Sequence, residues 1–416
     1  MNVQTPRVSV VVPACNQARY LAESIQSVLA QSYGDFEIIV VDDGSTDDTR
    51  AIVERLDPRI RYVWQENQGL AAARNTGICE ARGEYVALLD SDDAWLPNFL
   101  ASMMSLVDAN PEAAVFYCGV IYVDEWGCYL PQSGHTRVLR SKELYETLLR
   151  YNFLIPSTIV MNRAEVVSAG LFDVHFRRLQ DWELWIRLLR EGRTFAGLDQ
   201  CLVRYRIHDK SLSTDPKSGQ VAANALIQKH FGPDDGNWDE WPSDKRRAYG
   251  GLYRYCALTT SLIRQGDWGQ CARFIRLALE ADPSLAFDLD LFYELALGSE
   301  PAGYRNASSG ADLGGTAAGM AALLKTVFER PAPSALINLR RSAHGTAYYA
   351  LGLVAYSSQL SPSRCRHFVR KAFAYRPDLL SDGRALGLLI RSVPGRSRIR
   401  RFRSMVEGFR RTTTRA

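Results

Sequence analysis

Three carboxylates stand within four consecutive positions, Asp90, Asp92 and Asp93, interrupted only by Ser91. Like charges this close repel one another, and ionising all three costs folding energy unless a cation sits among them. Hard oxygen ligands of this kind suit Mg²⁺ or Mn²⁺, ions that usually arrive carrying phosphates. The competing reading is a solvated acidic turn that leads into the next helix. A second acidic turn lies upstream, Asp42-Asp43-Gly44-Ser45-Thr46-Asp47. The plain use of such a pair of carboxylates is turn and cap formation.

The elements that must position these groups follow from the apolar pattern. Tyr85–Leu89 is an apolar run of strand length, and Pro97 suits the first turn of a helix over 97–108. Arg7–Pro13 reads as a buried strand. Asn16 can cap the helix after it, where Leu21, Ile25, Val28 and Leu29 share a face. Asp35–Val41 is a second buried strand; Gly44 permits a tight turn, and Ser45 or Thr46 can cap a helix from about Asp48. Arg59–Trp64 reads as a third strand and Leu70–Ala81 as a helix. This alternation predicts a mainly parallel α/β sheet covered on both faces. In such a sheet ligands bind beyond the carboxyl ends of the strands. Three polar turns, Pro13–Asn16, Asp42–Thr46 and Asp90–Asp93, fall at those ends. No GxGxxG follows the first strand, which argues against a dinucleotide dehydrogenase.

Downstream, Ala113–Val123 reads as a strand with a turn near Asp124–Gly127, Ser141–Arg150 as a helix and Ser157–Met161 as a strand. In Leu179–Leu189 the residues Leu184, Trp185 and Leu188 have core-facing helical spacing. Asp181 lies at the positive end of that helix, where a cap aspartate is also at home. After an exposed connection at 232–238 the chain turns helical. Cys271–Leu285 matches Cys365–Leu379 as an internal repeat, similar to tetratricopeptide-type helical hairpins. Ser308–Gly319 is rich in Gly, Ala and Ser and reads as a loop. From Arg396 to Arg411 the chain is strongly basic, with Ile399, Phe402, Val406 and Phe409 on one helical stripe. That pattern suits the surface of an anionic membrane, or else a solvated tail.

The 416 residues are enough for two domains, and 46% hydrophobic with 23% charged residues fits an ordinary globular composition. A net charge of +4 calls for no polyanionic partner, and no nucleic-acid-binding motif is present. Eight scattered cysteines without CxxC pairs read as reduced cytoplasmic thiols. No signal-peptide pattern opens the chain, and no apolar run reaches membrane-spanning length. The expected location is the cytoplasm, with the tail at the inner face of the membrane. The expected division is 1–230 catalytic, 231–390 helical and 391–416 basic tail.

VSVVVPACNQARYLAESIQSVLAQSYGDFEIIVVDDGSTDDT, then NQGLAAARNTG, then GEYVALLDSDDAWLP, together resemble the inverting glycosyltransferase family 2 with the Rossmann-like GT-A fold. The likeness implies a nucleotide-diphosphate sugar, most simply a UDP-sugar, and a divalent metal. It implies that Pro13, Ala14 and Asn16 line the nucleoside, that Asp43 meets the base and that Asp42 shapes the pocket. Arg74 would approach the phosphates. Asp90, Ser91 and Asp92 would lie at the diphosphate, and Asp92 and Asp93 at the metal. In the family an acidic pair precedes a helix and its Asp is the general base. Here the pair is Gln180-Asp181, so the resemblance makes Asp181 the base, with Glu183 the fallback and Trp182 a face for a sugar ring. Arg206 and His208 fall where the family has an Arg/His strand end that leads into a loop over the diphosphate, and His208 joins the metal set. The implied acceptor is a glycan or a lipid-linked sugar. The helical segment could dock a protein partner. The missing first acid leaves a second possibility, a non-catalytic binding module on a decayed transferase domain.

Overall fold

The computed structural model describes residues 5–130, 136–208, 216–259, 268–297, 313–329, 331, 333–357 and 362–392. The chain divides into two compact units, Met1–Pro233 and Asp234–Ala416.

The strands of the first unit are β1 (Val8–Ala14), β2 (Phe36–Asp43), β3 (Arg61–Gln65), β4 (Tyr85–Leu88), β5 (Ala94–Trp95), β6 (Ala113–Val123), β7 (Ile159–Asn162) and β8 (Thr194–Arg206). They form one sheet in the order β3-β2-β1-β4-β7-β6-β8-β5. β1 lies between β2 and β4 and is buried along its whole length, which is why its sequence is a run of valines rather than an alternation. The first four strands are mutually parallel. β7 is antiparallel to both β4 and β6, so the sheet is mixed on that side. Two reversals restore the direction: β6 runs parallel to β4. The carboxyl ends of β1, β2, β4 and β6 therefore share one edge.

Helices α1 (Ala18–Leu29), α2 (Thr49–Leu56), α3 (Leu70–Glu80) and α4 (Phe99–Ala109) follow the first strands; α5 (Ser141–Leu148), α6 (Arg163–Ser168), α7 (Gln180–Arg190) and α8 (Pro216–Phe231) complete the unit. Leu21, Ile25 and Val28 of α1 join the valines of β1 and the Trp95–Phe99 pair in one core. Two expected caps are corrected. Asn16 does not cap α1; it sits at φ 54 and its Oδ1 accepts from Thr46 N at 2.8 Å, tying the first polar turn to the second. The N-cap of α2 is Asp48 and not Ser45 or Thr46, and the first helical N–H, that of Thr49, is taken up by Asp47 Oδ1 at 3.1 Å.

Every regular element among the second unit's described residues is a helix. Trp268–Ala281 leads through a 3-10 turn at Pro283–Phe287 into Leu289–Leu297, and Pro362–Tyr375 leads through Pro377–Ser381 into Gly383–Arg391. The two copies of the repeat thus fold alike. Cys271, Ile275, Ala278 and Leu285 of one correspond to the buried Cys365, Val369, Ala372 and Leu379 of the other. Part of the predicted Gly-rich loop is helix, because Leu313–Val327 includes Gly319. A Cβ at Gly319 would stand 2.1 Å from the Trp268 ring, so this glycine serves close packing and not a turn. The basic stripe Ile399–Phe409 lies outside the described residues. Among the described residues no helix is long and apolar enough to cross a membrane.

Candidate active site

The loop ends of β1, β2 and β4 come together at the shared edge. Asp42 and Asp43 are 1% and 3% exposed at the end of β2. Asp42 Oδ1 accepts from Ser45 N at 2.7 Å, and Oδ2 from the Tyr62 hydroxyl at 2.5 Å. Burial and this carboxylate push the Tyr62 phenol well above its ordinary range. Asp42 thus shapes the turn from behind. Asp43 departs from expectation. Its Oδ1 accepts from Gln65 Nε2 and Gln68 N at 2.7 and 2.9 Å, and its Oδ2 from Gly69 N at 2.8 Å. Both oxygens are engaged in holding the loop that enters α3. Gly44, at φ 75, lets that loop close over the turn; a Cβ there would meet Asn67 N at 2.9 Å. Pro13 and Ala14 are buried in β1, while Asn16 is exposed.

The acidic stretch after β4 is sorted into three separate pairings. Asp90 Oδ1 accepts from Arg74 Nη2 at 2.6 Å. Asp92 Oδ2 lies 3.0 Å from His208 Nε2. Asp93, 2% exposed, accepts from Ser157 Oγ at 2.5 Å and from Arg206 N at 3.0 Å. Ser91 is buried between them. The expected metal set of Asp92, Asp93 and His208 thus divides between two pairings, and among the described residues no three His, Cys, Asp or Glu side chains form a metal-holding group. Asp93 is drawn inward because its loop must be fastened to β8, and burial followed by the charges of Asp92 and Asp90 pushes its carboxyl well up. Asp92 and His208 are the pair left facing each other. His208 packs its ring 5.1 Å from that of Tyr20.

Arg206 is engaged within the protein. It is 3% exposed, and its guanidinium donates to Asp92 O (2.9 Å), Glu23 Oε2 (2.5 Å) and the carbonyls of Asp124 and Glu125 (3.4 and 3.2 Å). It braces the acidic loop, with each of its three nitrogens already engaged.

Arg74 is the opposite case. It is 1% exposed on α3, beneath the ring of Phe172, whose centroid is 5.5 Å away. Only Nη2 has a partner; Nε and Nη1 are buried with none. A buried donor left unpaired costs roughly 1–3 kcal/mol, so the unpaired face of this guanidinium is a standing demand for an acceptor.

Asp181 is the second residue of α7, in its first turn and not at the cap. The preceding Leu179 is left-handed at φ 58, a strained conformation for a branched residue, and it sets the angle at which the helix enters. Asp181 Oδ2 accepts from Asn152 Nδ2 at 2.8 Å. Burial raises its carboxyl above the usual range; the Arg74 charge pulls the other way. The two expected alternatives fall away. Glu183 is fully buried and paired with Arg187 (2.9 Å), Lys229 (2.6 Å) and His230 (3.2 Å). Trp182 is 1% exposed with Nε1 donating to Leu148 O at 2.6 Å, so it is core and not a sugar platform. Gln180 is 5% exposed, and its Oε1 is buried without a partner.

Two members escape a reading of the sequence. Ser157 Oγ accepts from Asp90 N at 3.1 Å as well as donating to Asp93, so it clamps the acidic loop at both ends. Asn152 orients Asp181. Neither sits in a periodic or charged pattern that would mark it.

A family model described as glycosyl transferase family 2 matches residues 9–168, within the first unit. A Bacillus subtilis protein named "Putative teichuronic acid biosynthesis glycosyltransferase TuaG" is 33% identical over 214 residues, 50% of this chain and 82% of its own length. The chain belongs to glycosyltransferase family 2. This glycosyltransferase is also 30% identical to the uncharacterized glycosyltransferase RP339 of Rickettsia prowazekii, over 50% of its own length and 66% of the relative's. Among solved structures, S. aureus TarS 1–349 in complex with UDP-GlcNAc superposes with a TM-score of 0.49 at 20% identity, covering 72% of this chain and 90% of that one. The mannosyltransferase PcManGT from Pyrobaculum calidifontis, in complex with GDP-Man and Mn²⁺, gives 0.46 at 18% identity over 86% and 88%.

Proposed function

We propose that this glycosyltransferase moves a sugar from a nucleotide-diphosphate donor, a UDP-sugar, to a hydroxyl of a glycan or lipid-linked acceptor with inversion at the anomeric carbon. The observation that carries the reading is the pair of unpartnered guanidinium nitrogens of Arg74, buried between Asp90 and the field of Asp181. A diphosphate oxygen answers that demand, and a guanidinium suits it in shape and charge. Asp181 takes the proton of the acceptor hydroxyl. That oxygen bonds to the anomeric carbon while the bond from this carbon to the β-phosphate oxygen breaks on the opposite face, and the nucleoside diphosphate leaves. Asn152 keeps the receiving carboxylate aimed.

Asp92 and His208 suit a divalent ion. Mg²⁺ or Mn²⁺ beside a substrate diphosphate is usually held by one or two carboxylates together with phosphate oxygens; Asp92 would supply the carboxylate and His208 the neighbouring nitrogen. Bound there, the ion would supply positive charge against the charge growing on the leaving group. Pro13, Ala14 and Asn16 are the proposed nucleoside wall, with Asp42 and Asp43 fixing its shape.

The competing module without activity draws only on Gln180. Incubation with a panel of UDP-sugars, Mn²⁺ and candidate acceptors tests the choice. UDP release that chelation abolishes supports the transferase; silence across the panel, together with no calorimetric binding of UDP, overturns it.

A further inference from the structure

Trp126 is 74% exposed and Tyr129 63%, on the hairpin tip that follows β6. Large aromatics this open lose burial energy, and a tip that carried them for no purpose would be expected to move freely. This one is fastened. Asp124 Oδ1 accepts from Trp126 N at 2.9 Å and Cys128 N at 2.8 Å, Gly127 turns at φ 83, and Leu130 N donates to Tyr122 O at 2.9 Å. The carbonyls of Asp124 and Glu125 are held by Arg206, the same buried arginine that grips Asp92 O. The tip and the acidic loop thus share one brace. β6 points the same way as β4, so the tip emerges at the sheet edge where the diphosphate is proposed to lie.

One face of the indole is already covered. The Arg19 guanidinium lies 4.9 Å from the Trp126 ring centroid and 4.9 Å from that of Tyr20, which in turn packs on His208 at 5.1 Å. Arg19 is itself held by Glu125 at 3.1 Å. Even so the residue is 74% exposed, and its open indole surface lies beside a half-exposed cation and carboxylate. A flat apolar surface beside a hydrogen-bonding cation and carboxylate fits a sugar ring, whose C–H face is apolar and whose edge carries hydroxyls. It does not fit an acyl chain, which would have to bury those charges.

We propose that Trp126, braced by Arg19 and Asp124, is a stacking subsite for a pyranose ring of the acceptor, beyond the sugar that reacts. The inference rests on the transferase reading. Its occupant is a glycan, reached from the same edge as the donor but not part of the nucleotide pocket.

Methyl glycosides of glucose, galactose, mannose and N-acetylglucosamine serve as probes in saturation-transfer NMR on the full chain, beside UDP calorimetry. The expected result is transfer to the ring protons of at least one glycoside. That signal falls roughly three- to tenfold in Trp126→Ala and in Trp126→Gln, and returns in Trp126→Phe. UDP affinity stays within about twofold of the parent throughout, since the indole reaches the proposed diphosphate site only indirectly, through Arg19 and Tyr20. Equal signals in the parent and Trp126→Ala, or none from any glycoside, overturn the subsite. A parallel loss of UDP affinity also overturns it, by moving Trp126 to the donor side. Failure of the parent chain itself to bind UDP sinks the transferase reading instead.

Discussion

Arg74 reaches Asp90 with a single nitrogen, Nη2 to Oδ1 at 2.6 Å, and leaves Nε and Nη1 buried and unpaired. A guanidinium so placed is preorganised for a second anion. Arg74→Met should cut UDP affinity by roughly tenfold or more, the worth of one to two charge-assisted hydrogen bonds. Calorimetry measures it. Arg74→Lys should recover little, because a point charge cannot serve Asp90 and a phosphate in two fixed directions. Full affinity in the methionine variant would refute the phosphate role.

Asp181 carries a different test. Asp181→Asn should lower kcat by about 10²–10⁴ while leaving UDP binding intact. Burial holds the carboxyl above its usual range in the free protein. A base works only when ionised, so the rate should fall as pH drops through that raised value. The acid limb of kcat/KM should accordingly lie above the ordinary aspartate range of about 4. An acid limb at or below it would exclude Asp181 as the group being titrated.

Glu183 is a matter of stability. Burial alone would raise its pKa, but His230, Arg187 and Lys229 together hold it well below the carboxylate range. A depressed folded value means the stabilisation is present above the unfolded pKa of about 4.3 and is lost as pH falls below it. Glu183→Gln should cost roughly 1–3 kcal/mol near neutral pH, because it removes a buried carboxylate from Arg187 and Lys229 while Lys229 keeps Asp173, and the difference from the parent should shrink in acid. Urea unfolding at several pH values reads this directly.

For the metal, Asp92→Asn and His208→Gln should each raise the Mn²⁺ concentration needed for half-maximal transfer, by roughly tenfold or more. Asp93→Asn should leave that concentration within about twofold of the parent and show its effect in the melting temperature, since its oxygens serve Ser157 and Arg206 N. The opposite ranking would restore Asp93 to the ion.

Much of the first unit was legible because its signals are local. The valine run of β1, the apolar stretch ending at Asp90 and the 3.6-residue period of α7 each state their own structure. So does the repeat, whose two prolines open matching 3-10 turns. What could not be read was the direction of side chains that share a turn. Asp90, Asp92 and Asp93 look equivalent in sequence. Their separation is decided by Arg74, His208 and Ser157, which lie 16, 116 and 64 residues from their respective partners. Arg206 looked like a phosphate ligand for the same reason: arginine beside an acidic loop says nothing about which side of the loop it occupies. Asn152 and Ser157 are ordinary polar residues made important by tertiary placement alone.

Leu179 holds a backbone shape that glycine would adopt more readily, one residue before Gln180 and two before Asp181. Exchange for glycine would relax the fold locally while unfixing the pitch at which α7 delivers its carboxylate. Robustness and turnover pull in opposite directions at this one position, so selection for heat resistance and selection for speed would leave different residues there.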